Sequence, residues 1–195
     1  VAAAHRITLV HVSSDYVFDG AAELHPEDDP FSPLGVYGQT KAAGDALVGQ
    51  LARHYLVRTS WVIGQGRNFV RTMADLAARG VSPSVVDDQF GRLTFTTDLA
   101  AGIVHLLTTG APFGTYNLSN DGPVQSWCDI AREVFVLCGR DAADVTGVST
   151  DSYNAGKAVS PRPQHSTLDL TLIRSTGFVP APAGQRLQEY LAGDR

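Results

Sequence analysis

The sequence predicts an α/β protein with a parallel sheet and helices on both faces of that sheet. Short apolar segments alternate with longer segments of helical periodicity from the start of the chain to about Leu118. Strands that alternate with helices favour crossover units, in which parallel strands end at the same edge of the sheet. With 195 residues, the chain has the size of one domain, or of one domain with a small lobe.

The first predicted strand and helix flank a long polar loop. Four of the seven residues at 7–13 are apolar and are β-branched or leucine, which favours a buried strand. Residues 19–33 are rich in acids and proline and form either a lid over a ligand or a solvated connector. Residues 37–54 predict a helix with Ala43 and Leu47 on its apolar face. The later elements are predicted as strands at 55–62, 84–87, 92–96 and 114–118 and helices at 68–79, 97–109, 125–138, 169–175 and 183–191.

Composition and charge argue against two classes of partner. The net charge is −5 and the chain has no run of lysine or arginine, so nucleic acid and anionic membranes are not the expected partners. No apolar stretch is long enough to cross a bilayer, and the first residues lack the pattern of a secretory signal.

The two cysteines and six histidines predict neither a disulfide nor a metal site. Cys128 and Cys138 fall within one predicted helix, about 15 Å apart along its axis, which is too far for a disulfide. We expect both to be small core residues in a reducing compartment, the cytoplasm. The histidines are scattered without ligand spacing, so we expect no metal.

A tyrosine and a lysine one helical turn apart are the strongest chemical signal in the chain. Tyr37 and Lys41 are four residues apart and share a helix face. A tyrosine hydroxyl can exchange a proton with a substrate oxygen, and a nearby ammonium favours the tyrosinate. Ser14 directly follows the first predicted strand, where its hydroxyl can bond the same oxygen. The alternative is two unrelated surface residues, but the strand-end serine favours the catalytic interpretation.

The sequence around these residues resembles a known family along nearly the whole chain. Residues 11–20 read HVSSDYVFDG and residues 33–45 read PLGVYGQTKAAGD. Five more segments follow in the same order as in that family: RTSWV at 58–62, NFV at 68–70, DQFG at 88–91, SW at 126–127 and RPQHSTLD at 162–169. Together they resemble the dTDP-4-dehydrorhamnose reductases of the extended short-chain dehydrogenase/reductase superfamily.

This resemblance implies a Rossmann-like domain and a chemical role for three residues. It implies reduction of the 4-keto group of a nucleotide sugar, most closely dTDP-4-dehydrorhamnose to dTDP-rhamnose, with NADPH or NADH as hydride donor. Tyr37 would supply the proton, Lys41 would lower the pKa of Tyr37 and hold the nicotinamide ribose, and Ser14 would orient the keto oxygen. The implied cofactor contacts are Ser13, Tyr37, Lys41, Ser60 and Trp61.

The resemblance also implies a set of substrate contacts, each with a structural alternative. Trp61 would lie beside the nicotinamide and the sugar, or it is a core tryptophan. Arg162 would bind the diphosphate, or it ties the tail to the body through an aspartate. Asn68 and Gln89 would bond sugar or pyrimidine, or Asn68 is only the N-cap of its helix. The remaining two implied pocket residues, at the end of the first strand, are Asp15 and Tyr16.

The family's Gly-rich cofactor turn does not precede Ser13 in this sequence. We therefore expect this chain alone to bind NADPH weakly, and we expect its sheet edge to be completed by an N-terminal cofactor-binding segment or a homodimer. Residues 1–119 would be the C-terminal part of the Rossmann-like domain, and residues 120–195, with 67–95, would form the substrate lobe. The alternative function is a non-catalytic regulatory subunit that binds another enzyme, against which the intact Ser14, Tyr37 and Lys41 argue.

Overall fold

The computed structural model describes residues 1–193. In this part of the chain the strands are β1 Leu9–Ser14, β2 His54–Thr59, β3 Val62–Ile63, β4 Ser84–Val86, β5 Phe90–Gly91, β6 Thr94–Phe95, β7 Gly114–Asn117, β8 Gln125–Ser126 and β9 Thr146–Val148. The α-helices are α1 Val36–Val48, α2 Phe69–Ala78, α3 Thr96–Thr109, α4 Trp127–Leu137, α5 Thr150–Asn154, α6 Thr171–Ser175 and α7 Ala183–Gly193. Short 3-10 turns lie at Asp15–Val17 and Ala142–Asp144.

Three parallel strands form the central sheet, in the order β1-β2-β7. Ser14 is level with Thr59, and Arg58 is level with Asn117, so all three strands end at the same edge. The predicted α/β class with a parallel sheet is confirmed. Because ligands bind at the carboxyl ends of such strands, this edge is where a site is expected.

Strand β2 is buried along its whole length, because helices cover both faces of the sheet. Successive side chains of a strand point to opposite faces. Tyr55 and Val57 pack with Leu106 of α3 in one apolar cluster. Arg58 faces the other way and bonds Asp45 of α1. Helices α1 and α3 therefore lie on opposite faces, as predicted.

The largest apolar cluster lies beside the central sheet and joins α2, α4 and α7. Short strand pairs border it: β3 with β6, β4 with β9, and the antiparallel pair β5 and β8. Helix α4 begins at a capping box in which Ser126 and Asp129 bond each other's backbone N–H groups. Arg186 of α7 forms an ion pair with Asp98 at the start of α3, which fastens the last helix to the body.

The first helix is shorter than predicted and buries a different face. The prediction extended it over residues 37–54, but it ends at Val48, because Gly49 caps it and the chain must turn into β2. Leu47, expected on the buried face, is 74% exposed. The helix instead buries Gly38, Ala42 and Asp45, because a close backbone approach and a buried ion pair, rather than an apolar stripe, hold it on the sheet.

Other boundaries also differ from the prediction. The strand expected at 92–96 is shorter in the structure, where it is β6, Thr94–Phe95. Strand β5, Phe90–Gly91, precedes it and was not predicted, and the two are separate strands because each pairs with a different partner. The helix expected at 125–138 starts at Trp127, after β8. Strand β9 and helix α5 were not predicted, since the short segments that form them carry no clear periodicity.

The loop at 19–33 crosses the carboxyl ends of β2 and β7. Arg58 donates to the Glu27 carbonyl at 2.8 Å, and the Glu27 carboxylate accepts from the Asn117 N–H at 2.9 Å. The guanidinium of Arg58 lies over the rings of Phe18 and Phe31. The loop is therefore fastened to the edge where the sheet presents its strand ends.

Both cysteines are free thiols: Cys128 is buried in α4, and Cys138 follows that helix. Within residues 1–193, none of the helices combines the length and the apolar character that a membrane span requires.

Candidate functional site

The strand-end serines face inward rather than toward solvent. The Ser14 hydroxyl donates to the Asp15 carboxylate at 3.0 Å and accepts from the Tyr16 N–H at 3.2 Å, so it caps the 3-10 turn. The Ser13 hydroxyl is buried and has no partner among the described residues. Ser14 thus stands where the sequence predicted it, at the end of β1, with its proton directed to Asp15.

Asp15 is a buried carboxyl group with one unpaired oxygen. Its Oδ1 accepts from Ser14, while Oδ2 is buried without a partner among the described residues. Burial raises the pKa of Asp15 to about 6, although the neighbouring hydroxyl groups of Ser166 and Ser14 oppose the shift. The sequence prediction made Asp15 a pocket residue that contacts substrate; in the structure it lies beneath Ser14, and its side chain is only 3% exposed.

Tyr37, Tyr16 and Arg162 form a row of contacts at the surface. Tyr37 is 57% exposed on α1, and its ring meets that of Tyr16 edge-on with 5.6 Å between centroids. Arg162 donates to the Tyr16 hydroxyl at 3.2 Å. Burial raises the pKa of Tyr16, and the charge of Arg162 opposes this. The contact brings residues 146 positions apart in sequence to the same place.

A glycine makes the contact between Tyr16 and Tyr37 possible. A Cβ on Gly38 would lie 2.2 Å from the Tyr16 carbonyl oxygen and 2.9 Å from the Pro33 side chain. Only glycine lets α1 approach the 3-10 turn this closely. The sequence carries a signal for this, since a glycine inside a helix lowers helix propensity and usually has a packing reason.

Lys41 lies beside the end of β1, as the Tyr-x-x-x-Lys spacing requires. Its ammonium donates to the Val12 carbonyl at 2.7 Å. An ammonium has three N–H donors, so this bond leaves two for a ligand.

Trp61 occupies a left-handed backbone conformation, which is rare for a large side chain. Its φ is 46°, and such a residue costs about 1–3 kcal/mol unless its surroundings hold it there. The Thr94 N–H bonds the Trp61 carbonyl at 3.1 Å, and Ser60 bonds the Arg92 carbonyl at 3.4 Å. The indole stacks on Trp127, with 3.7 Å between ring centroids and 17° between planes.

Two of the predicted substrate residues have structural partners. Asn68 caps α2, and its amide donates to the Gly64 carbonyl and to the Tyr190 hydroxyl, both at 2.8 Å. Gln89 is buried and donates to Thr150 at the start of α5. The N-cap alternative for Asn68 is therefore the one that the geometry favours, and the same side chain ties α2 to α7.

The predicted residues fall into two groups in the structure. Ser14, Tyr16, Tyr37, Lys41 and Arg162 surround the end of β1. Trp61 and Ser60 follow β2, while Asn68 and Gln89 hold the helices beyond it.

Sequence reasoning missed the supporting role of Gly38 and the stacking of Trp127 on Trp61.

A family model described as "RmlD substrate binding domain" matches residues 1–194. Among curated proteins, the chain is similar to the spore coat polysaccharide biosynthesis protein SpsK of Bacillus subtilis, with 37% identity over 93% of this chain and 63% of that protein. It is also similar to a dTDP-4-keto-6-deoxy-D-glucose reductase of Streptomyces niveus, with 39% identity over 89% of this chain and 60% of that protein.

Among solved structures, a dTDP-4-dehydrorhamnose reductase of Bacillus anthracis in complex with NADP superposes with a TM-score of 0.88. It is 34% identical, and the match covers all of this chain and 68% of that one. This likeness confirms the Rossmann-like class of the fold. The chain spans about 60% of the length of the first curated relatives it matches.

Proposed function

The chain belongs to the RmlD substrate-binding domain family, and we propose that it is the catalytic and substrate-binding part of an NAD(P)H-dependent reductase of nucleotide sugars. The proposed reaction converts the 4-keto group of a dTDP-linked 6-deoxyhexose, most closely dTDP-4-dehydrorhamnose, to a hydroxyl group. Relatives that are 34–39% identical to this chain over the aligned residues carry the names of such reductases.

The observation that supports this proposal most strongly is the position of Tyr37. Its ring is exposed at the carboxyl end of β1, against Tyr16, with Lys41 one helical turn away. When a keto group is reduced, negative charge develops on its oxygen. An exposed hydroxyl group can donate a proton to that oxygen, and a nearby ammonium group stabilises the charge. The role proposed for Tyr37 is to pass its proton to the keto oxygen, while a C–H bond forms at the carbon.

The residues around Lys41 fit the nicotinamide end of a dinucleotide. Lys41 keeps two N–H donors beside the edge strand, which suits the hydroxyl groups of a ribose. When bound, the nicotinamide supplies the hydride. The chain's own residues orient the ligand and carry the proton: Lys41 as a fixed positive charge, Tyr37 as the acid and Ser14 as a hydroxyl held at the strand end.

We also propose that residues 120–195, together with 67–95, form the lobe that binds the nucleotide sugar. Helices α2, α4 and α7 share one apolar core beside the sheet, which supports a lobe of this composition. Arg162 is exposed next to Tyr16 and retains guanidinium donors for a diphosphate. Asp88 and Gln89 form hydrogen bonds with Thr150 at the start of helix α5. The segment that follows this helix carries Arg162.

The test is the substitution Tyr37→Phe in the full-length protein. We expect turnover of dTDP-4-dehydrorhamnose to fall by about two orders of magnitude or more, because removal of a general acid acts on the transition state. Affinity for the nucleotide sugar should change little. The matched control is Tyr116→Phe, which removes a hydroxyl that bonds the Pro112 carbonyl away from the strand ends.

Near-normal turnover in Tyr37→Phe would refute the acid role. A wild-type protein that binds the nucleotide sugar without reducing it, with NADPH present, would favour the regulatory-subunit alternative.

A further inference from the structure

The indole ring of Trp61 is covered on one face by Trp127. The two rings are nearly parallel and their centroids are only 3.7 Å apart, so one ring covers most of the other. Trp127 is itself held by the ring of Phe69, whose centroid is 4.5 Å away. Nothing can stack on this face of Trp61 unless Trp127 moves.

Gly91 covers the opposite face. A Cβ on Gly91 would lie 2.9 Å from Cε2, 3.0 Å from Cζ2 and 3.2 Å from Cδ2 of Trp61. Cε2 is bonded to three other atoms of the indole, so it has no free position in the plane of the ring. An atom that lies closer to Cε2 than to any other indole atom is therefore over a face of the ring and not at its rim. This face is not the one that Trp127 covers, since a ring stacked at 3.7 Å leaves no space for the Gly91 backbone.

The free part of Trp61 is therefore its edge. Within residues 1–193, the indole Nε1–H of Trp61 donates to no acceptor. If this atom were buried, it would be a buried polar atom without a partner, and it is not one of these, so it is accessible to solvent. The backbone of Trp61 is fixed by the bond from Thr94 and held at a φ of 46°, which sets the direction of the side chain. An indole N–H is a donor only, so its ligand must offer an acceptor.

We propose that Trp127 and Gly91 are positioning residues that clamp Trp61, so that the indole meets the bound sugar with its N–H edge and not with its face. This inference rests on the proposed function and adds the way in which the site recognises its substrate. The group recognised is an oxygen acceptor on the hexose. Trp127 and Gly91 act only through Trp61, because both touch the indole and leave its edge free.

The experiment measures affinity for dTDP-rhamnose and for dTDP in the full-length protein, together with far-ultraviolet circular dichroism. Two stacked indoles give an exciton couplet that reports the clamp itself. We expect Trp61→Phe, which lacks the N–H, to weaken dTDP-rhamnose binding by about tenfold and to leave dTDP binding unchanged. Trp127→Leu and Gly91→Ala should each produce a similar loss, because each releases or displaces the indole.

Three comparisons separate positioning from simple destabilisation. In the Trp61→Phe background, Trp127→Leu should cause no further loss of sugar affinity, since it acts through an indole that is no longer there. Trp127→Phe retains a flat ring for stacking and should recover most of the affinity. Gly91→Ala perturbs the other face, so it tests the clamp even if Trp127→Leu does not fold.

Four results would overturn the inference. Wild-type protein without the couplet has no stacked pair, whatever its turnover. Full sugar affinity in Trp61→Phe would exclude the N–H as donor. Additive losses in the double variant would give Trp127 a role of its own. A wild type that shows the couplet but binds no dTDP-sugar would overturn the proposed function and, with it, the recognition of a sugar.

Discussion

At the scale of single residues, burial and hydrogen bonding limit the roles that the predicted site residues can take. Asp15 was expected to face a ligand, yet its carboxyl group is buried and accepts a hydrogen bond from the Ser14 hydroxyl. The Ser14 hydroxyl can donate to a keto oxygen only when it turns from Asp15. Asp15 therefore competes with a ligand for the one proton that Ser14 can donate.

We predict that Asp15 makes the folded state less stable as the pH rises. Its pKa is about 6 in the folded protein and about 4 in the unfolded chain, so between these values only the folded state keeps the proton. Its contribution to the free energy of unfolding therefore falls from about pH 4 to about pH 6, by up to about 3 kcal/mol, and stays low above that. Asp15→Asn should remove this fall, as measured by urea unfolding across this range.

The control for this prediction is Asp151→Asn, which alters an exposed carboxyl group elsewhere. Identical pH dependence in wild type and Asp15→Asn would mean that Asp15 has an ordinary pKa.

Arg162 gives a second prediction at this scale. Arg162→Ala should weaken binding of dTDP by about 1.5–3 kcal/mol, because it removes the charge-assisted hydrogen bonds that we propose for the diphosphate. The melting temperature should hardly change, since Arg162 is exposed and its hydrogen bond to Tyr16 is its one contact of this kind within residues 1–193. Titration calorimetry measures the affinity, with Arg79→Ala, at the residue that follows α2, as control. Normal affinity with a lower melting temperature would make Arg162 a structural tether.

At the scale of elements, the position of α1 decides where Tyr37 stands. This helix lies against the sheet through Gly38, Ala42 and Asp45, and its exposed side carries Tyr37 and Leu47. A helix held by one close approach and one ion pair is sensitive to a single added methyl group at the approach.

We predict that Gly38→Ala moves α1 and impairs catalysis. Its Cβ would lie 2.2 Å from a backbone oxygen of Tyr16, so the helix must shift, and overpacking of this kind costs about 1–3 kcal/mol. Turnover should fall because Tyr37 moves with the helix. Thermal unfolding and steady-state kinetics measure both effects.

Gly44→Ala is the matched control in the same helix. The nearest atom to its Cβ would be 3.5 Å away on His11, which is ordinary contact, so the higher helix propensity of alanine should stabilise the protein by up to about 1 kcal/mol. Equal effects of the two substitutions would show that close approach at Gly38 is not what positions Tyr37.

At the scale of the whole molecule, Arg58 joins three parts of the fold. It bonds the Asp45 carboxylate of α1 at 3.0 Å and the Glu27 carbonyl in the loop at 19–33, and its guanidinium lies over the rings of Phe18 and Phe31. Both charges of the pair are buried, so each depends on the other.

We predict that Arg58→Met lowers the free energy of unfolding by about 3–5 kcal/mol, because it leaves the buried Asp45 carboxylate without its hydrogen-bonded cation and with only the His11 ring nearby, at 3.9 Å. The double variant Asp45→Leu with Arg58→Met should recover much of this loss, since no charge remains unpaired. Chemical denaturation measures both. A double variant as unstable as the sum of the two single ones would mean that the contacts to the loop, not the ion pair, account for the loss.

Much of the site could be predicted from local sequence. The spacing of Tyr37 and Lys41 follows from the helical repeat, and a serine after an apolar run identifies the strand end. The glycine within the helix and the tryptophan after β2 were visible, but their purpose was not. Gly38 allows a close approach to the Tyr16 carbonyl, and Trp61 stacks on the ring of Trp127. Local spacing rules do not predict either contact, because each joins residues that are distant in sequence.

The sequence by itself determined the α/β class, the order of most elements and the residues that carry the proposed chemistry, because apolar periodicity and motif spacing are properties of short segments. Only the tertiary structure decided that Asp15 is buried, that Asn68 and Gln89 hold helices in place, and that Trp61 shows an edge rather than a face. These outcomes depend on which distant groups share a residue's surroundings. Burial, pairing and close packing arise from such long-range contacts, and no local pattern encodes them.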